Sequence, residues 1–119
     1  AFQIVDDLLD YTVSSEVTGK PNGLDLKEHK VTLPLIAALP RLSTEDRRTV
    51  DELFADPSPV DDHVDEVIDL VRDAGGLEEA RKTARFYATS ASRHLEPLPD
   101  DPAVEILRLT VEFVLERQK

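Results

Sequence analysis

Cysteine is absent from the 119 residues. That excludes a disulfide framework, a thiolate metal site and a cysteine nucleophile, and it leaves the redox compartment unread. No apolar run approaches the roughly 20 residues that span a bilayer, and no secretory leader pattern is visible. Basic residues are few, 14 against 25 acids, for a formal net charge of −11. Such a surface repels nucleic-acid phosphates, and anionic membranes for the same reason. An anionic ligand then needs a metal or a local basic cluster to overcome the field. Strand alternation, internal repeats, heptads and low-complexity tracts are missing as well. The expectation is a soluble, cytoplasmic protein of one domain or part of one. The balance of aspartate and arginine is compatible with a halophilic source and equally with an ordinary acidic protein.

What is present is helical periodicity. Phe2, Val5, Leu8 and Leu9 recur at spacings of three and four, the period of a helix face. Residues 11–25 break the pattern, with Gly19, Pro21, Asn22 and Gly23 as loop signals. Thr32 is placed to cap a helix with Pro34 in its first turn, and Pro40 ends or kinks it. Ser43 opens STED, which has the form of a capping box, and leads a helix to about Phe54. From Val60 to Ala74 the residues Val64, Val67, Ile68 and Val71 trace one face, closed by Gly75 and Gly76. A helix from Leu77 to Leu95 carries Ala80, Ala84, Tyr87, Ala88 and Ala91 on its small-residue side. Asp101 caps the last helix, with Val104, Leu107, Val111 and Val114 expected inward. The architecture expected is all-α, a helical bundle or half of one. Residue 1 already lies inside an apolar periodic pattern, so the chain is expected to be the C-terminal piece of something longer.

The first segment, AFQIVDDLLDYT, places three carboxylates in an apolar run. On a helix, Asp6, Asp7 and Asp10 lie within about 100° of arc. Asp6 and Asp10 are one turn apart, and like charges at that spacing repel by a few tenths of a kcal/mol even when exposed. A divalent cation resolves the repulsion, and hard carboxylate oxygens suit Mg²⁺, which commonly shares its shell with a phosphate. Alone, an acidic run of this kind is more often a solvated face. Downstream, however, come Lys20 in TGKP and Lys30 in DLKEHKVTLP. Lysine is a point-charge phosphate binder. Carboxylates for a metal and lysines for the phosphate on that metal form the combination that diphosphate chemistry requires. The acids of DDHVD repeat the spacing at Asp61, Asp62 and Asp65. They follow a DPSP turn directly and read as the first turn of a helix, where acids suit the dipole.

Together, FQIVDDLLDYT and GKPNGLDLKEHKVTLPLI resemble the second aspartate-rich region of the trans-isoprenyl diphosphate synthases, the polyprenyl synthetase family. The likeness is strong to about residue 38 and continues weakly through AGGLEEARKTARFYATSA. It implies an isoprenoid-synthase-type helical bundle, of which residues 1–119 form the C-terminal portion. It implies Asp6 as a direct Mg²⁺ ligand, with Asp7 and Asp10 acting directly or through metal-bound water. Gln3 and Phe2 match the residues beside the substrate diphosphates. Lys20 and Lys30 match the lysines that hold the allylic diphosphate, and Asp25 matches a loop acid that organises the region. His29 is a departure, since many relatives carry glycine before the second lysine. His63 and His94 are read as surface or core residues, and Tyr11 and Tyr87 as packing residues rather than acids or bases.

The reaction the resemblance implies joins isopentenyl diphosphate head to tail with an allylic diphosphate, in a homodimer. A first aspartate-rich motif and a basic isopentenyl site are also implied, and nothing in the sequence supplies them. The chain by itself is therefore expected to be inactive. Three other readings stand beside this one. A terpene-cyclase-like relative shares the Mg²⁺ chemistry but does not account for the GK and KVTLP segments. A non-catalytic subunit of a heteromeric synthase has no need of clustered, repelling acids. A solvated acidic interaction module leaves the downstream lysines unexplained.

Overall fold

The computed structural model describes residues 1–12 and 22–117. Among these the regular structure is wholly helical: α1 (Phe2–Thr12), α2 (Leu24–Lys27), α3 (Leu33–Ala38) running into a 3₁₀ turn (Leu39–Arg41), α4 (Thr44–Ala55), α5 (Asp61–Asp73), α6 (Gly76–Leu95) and α7 (Pro102–Glu116). The expected all-α architecture is what is found.

The local signals act where they were read. Ser43 Oγ accepts from the Asp46 N–H at 3.0 Å, and Asp101 Oδ1 accepts from the Ala103 N–H at 2.8 Å. Each satisfies one of the orphan donors of a first helical turn. Thr32 stands at the N-cap of α3 in extended geometry, with Pro34 in the first turn, although its side chain makes no capping bond. Pro40 converts the end of α3 into the 3₁₀ turn. Asp61 and Asp62 form the first turn of α5, as the DDHVD reading required. The α2 turn was not anticipated: four residues are too few to show a period, and they sit in a segment read as loop.

Helix α6 is the axis of the bundle, packing on α1, α3, α5 and α7. Val64, Val67, Ile68 and Val71 of α5 are all buried, and so are Ala80, Ala84 and Ala88 of α6. The alanines let neighbouring backbones come close. Gly76 carries this furthest, since a Cβ there would lie 2.3 Å from the Pro34 carbonyl oxygen. Each aliphatic side chain so buried contributes about 1.5–3 kcal/mol.

Two inward faces were drawn too wide. Tyr87 and Ala91 of α6 are exposed, and so is Leu107 of α7. Of the last helix, Val104 and Val114 are buried and Val111 half-buried, while Ile106, Leu109 and Phe113 face outward. α7 is apolar on two sides, and only one is covered by the described residues. The radius of gyration is 16.8 Å, against about 13.5 Å for a compact domain of this length. No helix among the described residues is long and apolar enough to cross a membrane.

Candidate functional site

The buried stripe of α1 is Val5, Leu8 and Tyr11, at intervals of three. This stripe explains how an apolar run carries three aspartates. The apolar side turns into the bundle, and Asp6, Asp7 and Asp10 occupy the remaining arc. Asp6 is exposed, whereas Asp7 and Asp10 are half-buried. Tyr11, at the end of the stripe, places its hydroxyl beside that of Thr32. The two stand outside hydrogen-bond geometry, and neither has another partner among the described residues. Burial pushes the phenol well above its ordinary value, which fits the packing role read for it.

Each acid of the motif is held differently. Asp7 Oδ1 accepts from Gln3 Nε2 at 3.0 Å, one turn back on the same helix. Asp6 Oδ1 accepts from Arg117 Nη2 at 3.1 Å, across 111 positions of sequence. Asp10 grips the returning backbone: its Oδ1 accepts from the Leu24 N–H and its Oδ2 from the Asp25 N–H, both at 3.1 Å. Its carbonyl accepts from the Gly23 N–H at 3.0 Å. Gly23 permits this approach. Its φ is +71°, and a Cβ would meet Val64 Cγ1 at 2.4 Å, so only glycine fits between the motif and α5.

That grip brings Asp25 and Lys30 to the end of α1. Lys30 Nζ lies 4.0 Å from Asp25 Oδ1 and 2.6 Å from Glu28 Oε2. The Asp10 carboxyl is raised above its ordinary value, first by burial; the two backbone donors act against this, and Asp7 and Glu28 add repulsion. The Asp25 carboxyl is raised too, by burial and then by Asp10 and Asp7, with Lys30 opposing. Lys30 is raised by its bond to Glu28, which favours its charged form. The result is a patch of carboxylates whose repulsion is only partly relieved, with one exposed ammonium beside it.

The other sequence-identified residues fall around this patch or outside the description. Phe2 is exposed at the start of α1, with the Arg117 guanidinium carbon 4.6 Å from its ring centroid. Gln3 acts through Asp7. Lys20 lies outside the described residues. Among the described residues no three carboxylates already converge on a single point. The donor set of Asp6, Asp7 and Asp10 is nevertheless the hard-oxygen set that suits Mg²⁺.

His29, the departure noted above, adopts φ +57°, the only positive φ outside glycine among the described residues. That is the backbone region where glycine is at ease, which gives a physical reason for glycine at this place. Here the ring compensates. His29 Nε2 lies 2.7 Å from the Asp56 carbonyl oxygen, and the imidazole stands 5.8 Å from the Phe54 ring. His63 plays a similar bridging part, its Nε2 3.0 Å from the Thr49 carbonyl. Lys27 pairs with Asp61, tying α2 to the first turn of α5. Sequence reasoning missed Arg117 altogether. The only local signal was its place three residues beyond the buried Val114.

The family model described as polyprenyl synthetase matches residues 1–71. Solanesyl diphosphate synthase 2 of Arabidopsis thaliana, a chloroplastic protein, is 38% identical over 98% of the chain, which spans 27% of that relative. A decaprenyl diphosphate synthase from Rhodobacter capsulatus superposes with a TM-score of 0.86 at 33% identity, covering 99% of the chain and 36% of that structure. A geranylgeranyl pyrophosphate synthase from Corynebacterium glutamicum, complexed with calcium and isoprenyl diphosphate, superposes with a TM-score of 0.78 at 34% identity, covering 98% of the chain and 35% of that structure. The chain spans about a third of the length of the proteins it matches.

Proposed function

The chain belongs to the polyprenyl synthetase family, and from that premise we propose that it carries the half of a prenyltransferase active site that receives the allylic diphosphate. The protein containing it would join isopentenyl diphosphate head to tail with an allylic diphosphate. The observation that carries the reading is the grip of Asp10 on residues 23–25. It holds a loop acid and Lys30 against the acidic end of α1, so metal-type and phosphate-type groups meet at one place. The complex of a relative with calcium and isoprenyl diphosphate supports this assignment.

In this reading Asp6, Asp7 and Asp10 hold Mg²⁺. The ion supplies charge neutralisation on a departing diphosphate. The chain's own residues do the rest. Lys30, with Lys20, attracts and orients the diphosphate and stabilises charge that grows as the allylic C–O bond breaks. Gln3 fixes the rotamer of Asp7 through its 3.0 Å bond. Asp10 has two duties, as ligand and as anchor of the segment that bears Lys30. Val5, Leu8 and Tyr11 pack the other side of α1 into the bundle and so hold the aspartate-bearing arc in place. The first aspartate-rich motif and the isopentenyl site are not supplied by these 119 residues in this reading, so the chain by itself is expected to be inactive. Homodimerisation of the intact protein is part of the same proposal.

The test is a radiolabel assay on the intact protein with an allylic diphosphate, labelled isopentenyl diphosphate and Mg²⁺. Label should enter an organic-soluble product. Chelation of the metal, Asp6→Ala and Lys30→Ala should each remove most of it. Full turnover by Lys30→Ala would overturn the placement of the diphosphate.

A further inference from the structure

Among the described residues, Arg117 is the one basic residue that touches the aspartate motif itself. Its Nη2 donates to Asp6 Oδ1 at 3.1 Å, and its guanidinium lies over Phe2 at 4.6 Å. Both partners belong to the first two turns of α1, and Arg117 itself caps the C-terminal end of α7. The guanidinium side chain is about three-quarters covered, at 24% exposure, whereas Asp6 is 52% exposed. Nη1 is buried without a partner among the described residues. The contact therefore leaves a buried donor unsatisfied, a state that costs free energy. α1 and α7 also pack directly on one another, through Val5 and Val114. A movement of the end of α7 is thus felt at the motif.

We propose that Arg117 is an internal counter-ion to Asp6 that competes with the divalent cation, so that metal loading and the seating of the end of α7 on α1 exclude one another. The argument is electrostatic. A carboxylate shared with a guanidinium is a poorer ligand for a dication, because two positive charges meet at one anion. The unsatisfied Nη1 makes the latch cheap to release. The cation–π contact with Phe2 and the ion pair with Asp6 are lost together, since one planar group makes both. Loading of the metal then frees the face of Phe2 as well as the carboxylate. The proposal rests on the reading of Asp6 as a metal ligand.

The experiment is a calorimetric titration of the intact protein with Mn²⁺ and no substrate, for the native sequence, Arg117→Gln and Asp6→Asn. Arg117→Gln should bind Mn²⁺ about two- to fivefold more tightly, the range set by an exposed ion pair. Asp6→Asn should bind it more weakly. Amide hydrogen exchange of residues 112–117 in the native protein should quicken when Mn²⁺ is added, and this response should be lost in Asp6→Asn. The exchange readout needs no folded Arg117 variant. Equal or weaker Mn²⁺ binding by Arg117→Gln, with Asp6→Asn impaired and no exchange response, would overturn the latch while leaving Asp6 as a ligand. Unchanged binding by Asp6→Asn would overturn both.

Discussion

The double duty of Asp10 makes a prediction that separates it from Asp6. Replacing Asp10 with alanine removes the acceptor for the Leu24 and Asp25 N–H groups, one exposed and one partly buried. A hydrogen bond to a charged group contributes about 1.5–3 kcal/mol, and an exposed one falls at the low end. Two such bonds give about 3–4 kcal/mol. Relief of repulsion from Asp7 and Glu28, which act on Asp10, returns a few tenths each. The net loss is about 2–3 kcal/mol. Asp6→Ala removes one exposed pair with Arg117 and should cost under about 1 kcal/mol. Asp10→Asn retains one acceptor oxygen and should fall between them. Urea denaturation of the intact protein checks the order, with midpoints compared at constant slope. Metal affinity should fall in both alanine variants. If Asp10→Ala were as stable as Asp6→Ala, the grip on residues 23–25 would be incidental, and the account of how Lys30 reaches the motif would fail.

Four further outcomes follow. The folded carboxyls of Asp10 and Asp25 are raised above the 3.8 of an ordinary aspartate. Their protonation therefore favours the fold: that contribution is full below the unfolded value and is lost as pH rises through the folded ones. The rise in melting temperature on adding Mg²⁺ should accordingly be largest near neutrality and shrink as pH falls toward the acidic range where these two groups protonate; a pH-independent rise would disconnect them from the metal. Tyr11→Phe should leave stability within about 1 kcal/mol, since the lost hydroxyl has no partner among the described residues, whereas Tyr11→Ala should cost about 3–5 kcal/mol; thermal denaturation distinguishes the two. Gly23→Ala should cost well over 1 kcal/mol, from both the left-handed φ and the 2.4 Å approach to Val64, and should weaken diphosphate binding by displacing Lys30. His29→Gly relieves the positive φ but removes the tether to Asp56, so stability should change little while the Michaelis constant for the allylic diphosphate rises; a simple gain in stability with unchanged kinetics would count against the tether.

Much of the molecule was determined by the sequence alone. Ser43, Asp101, Pro34, Pro40 and Gly75 placed helix boundaries because capping and proline geometry are local, acting within one turn. Val64, Val67, Ile68 and Val71 marked one face for the same reason. The spacing of Asp6, Asp7 and Asp10 on one arc follows from helical pitch. Asp7 meets Gln3 one turn back on its own helix, but tertiary structure decided which neighbours Asp6 and Asp10 meet. Asp6 finds Arg117 from 111 positions away; Asp10 finds the backbone of a turn too short to have a period. His29 was legible as a departure, but only its φ and its contact with Asp56 explain what the departure does. Leu107 and Tyr87 looked inward by periodicity, yet periodicity states only that a face exists. Which face is covered depends on where the next helix crosses, and that is set by packing between segments that no local pattern connects.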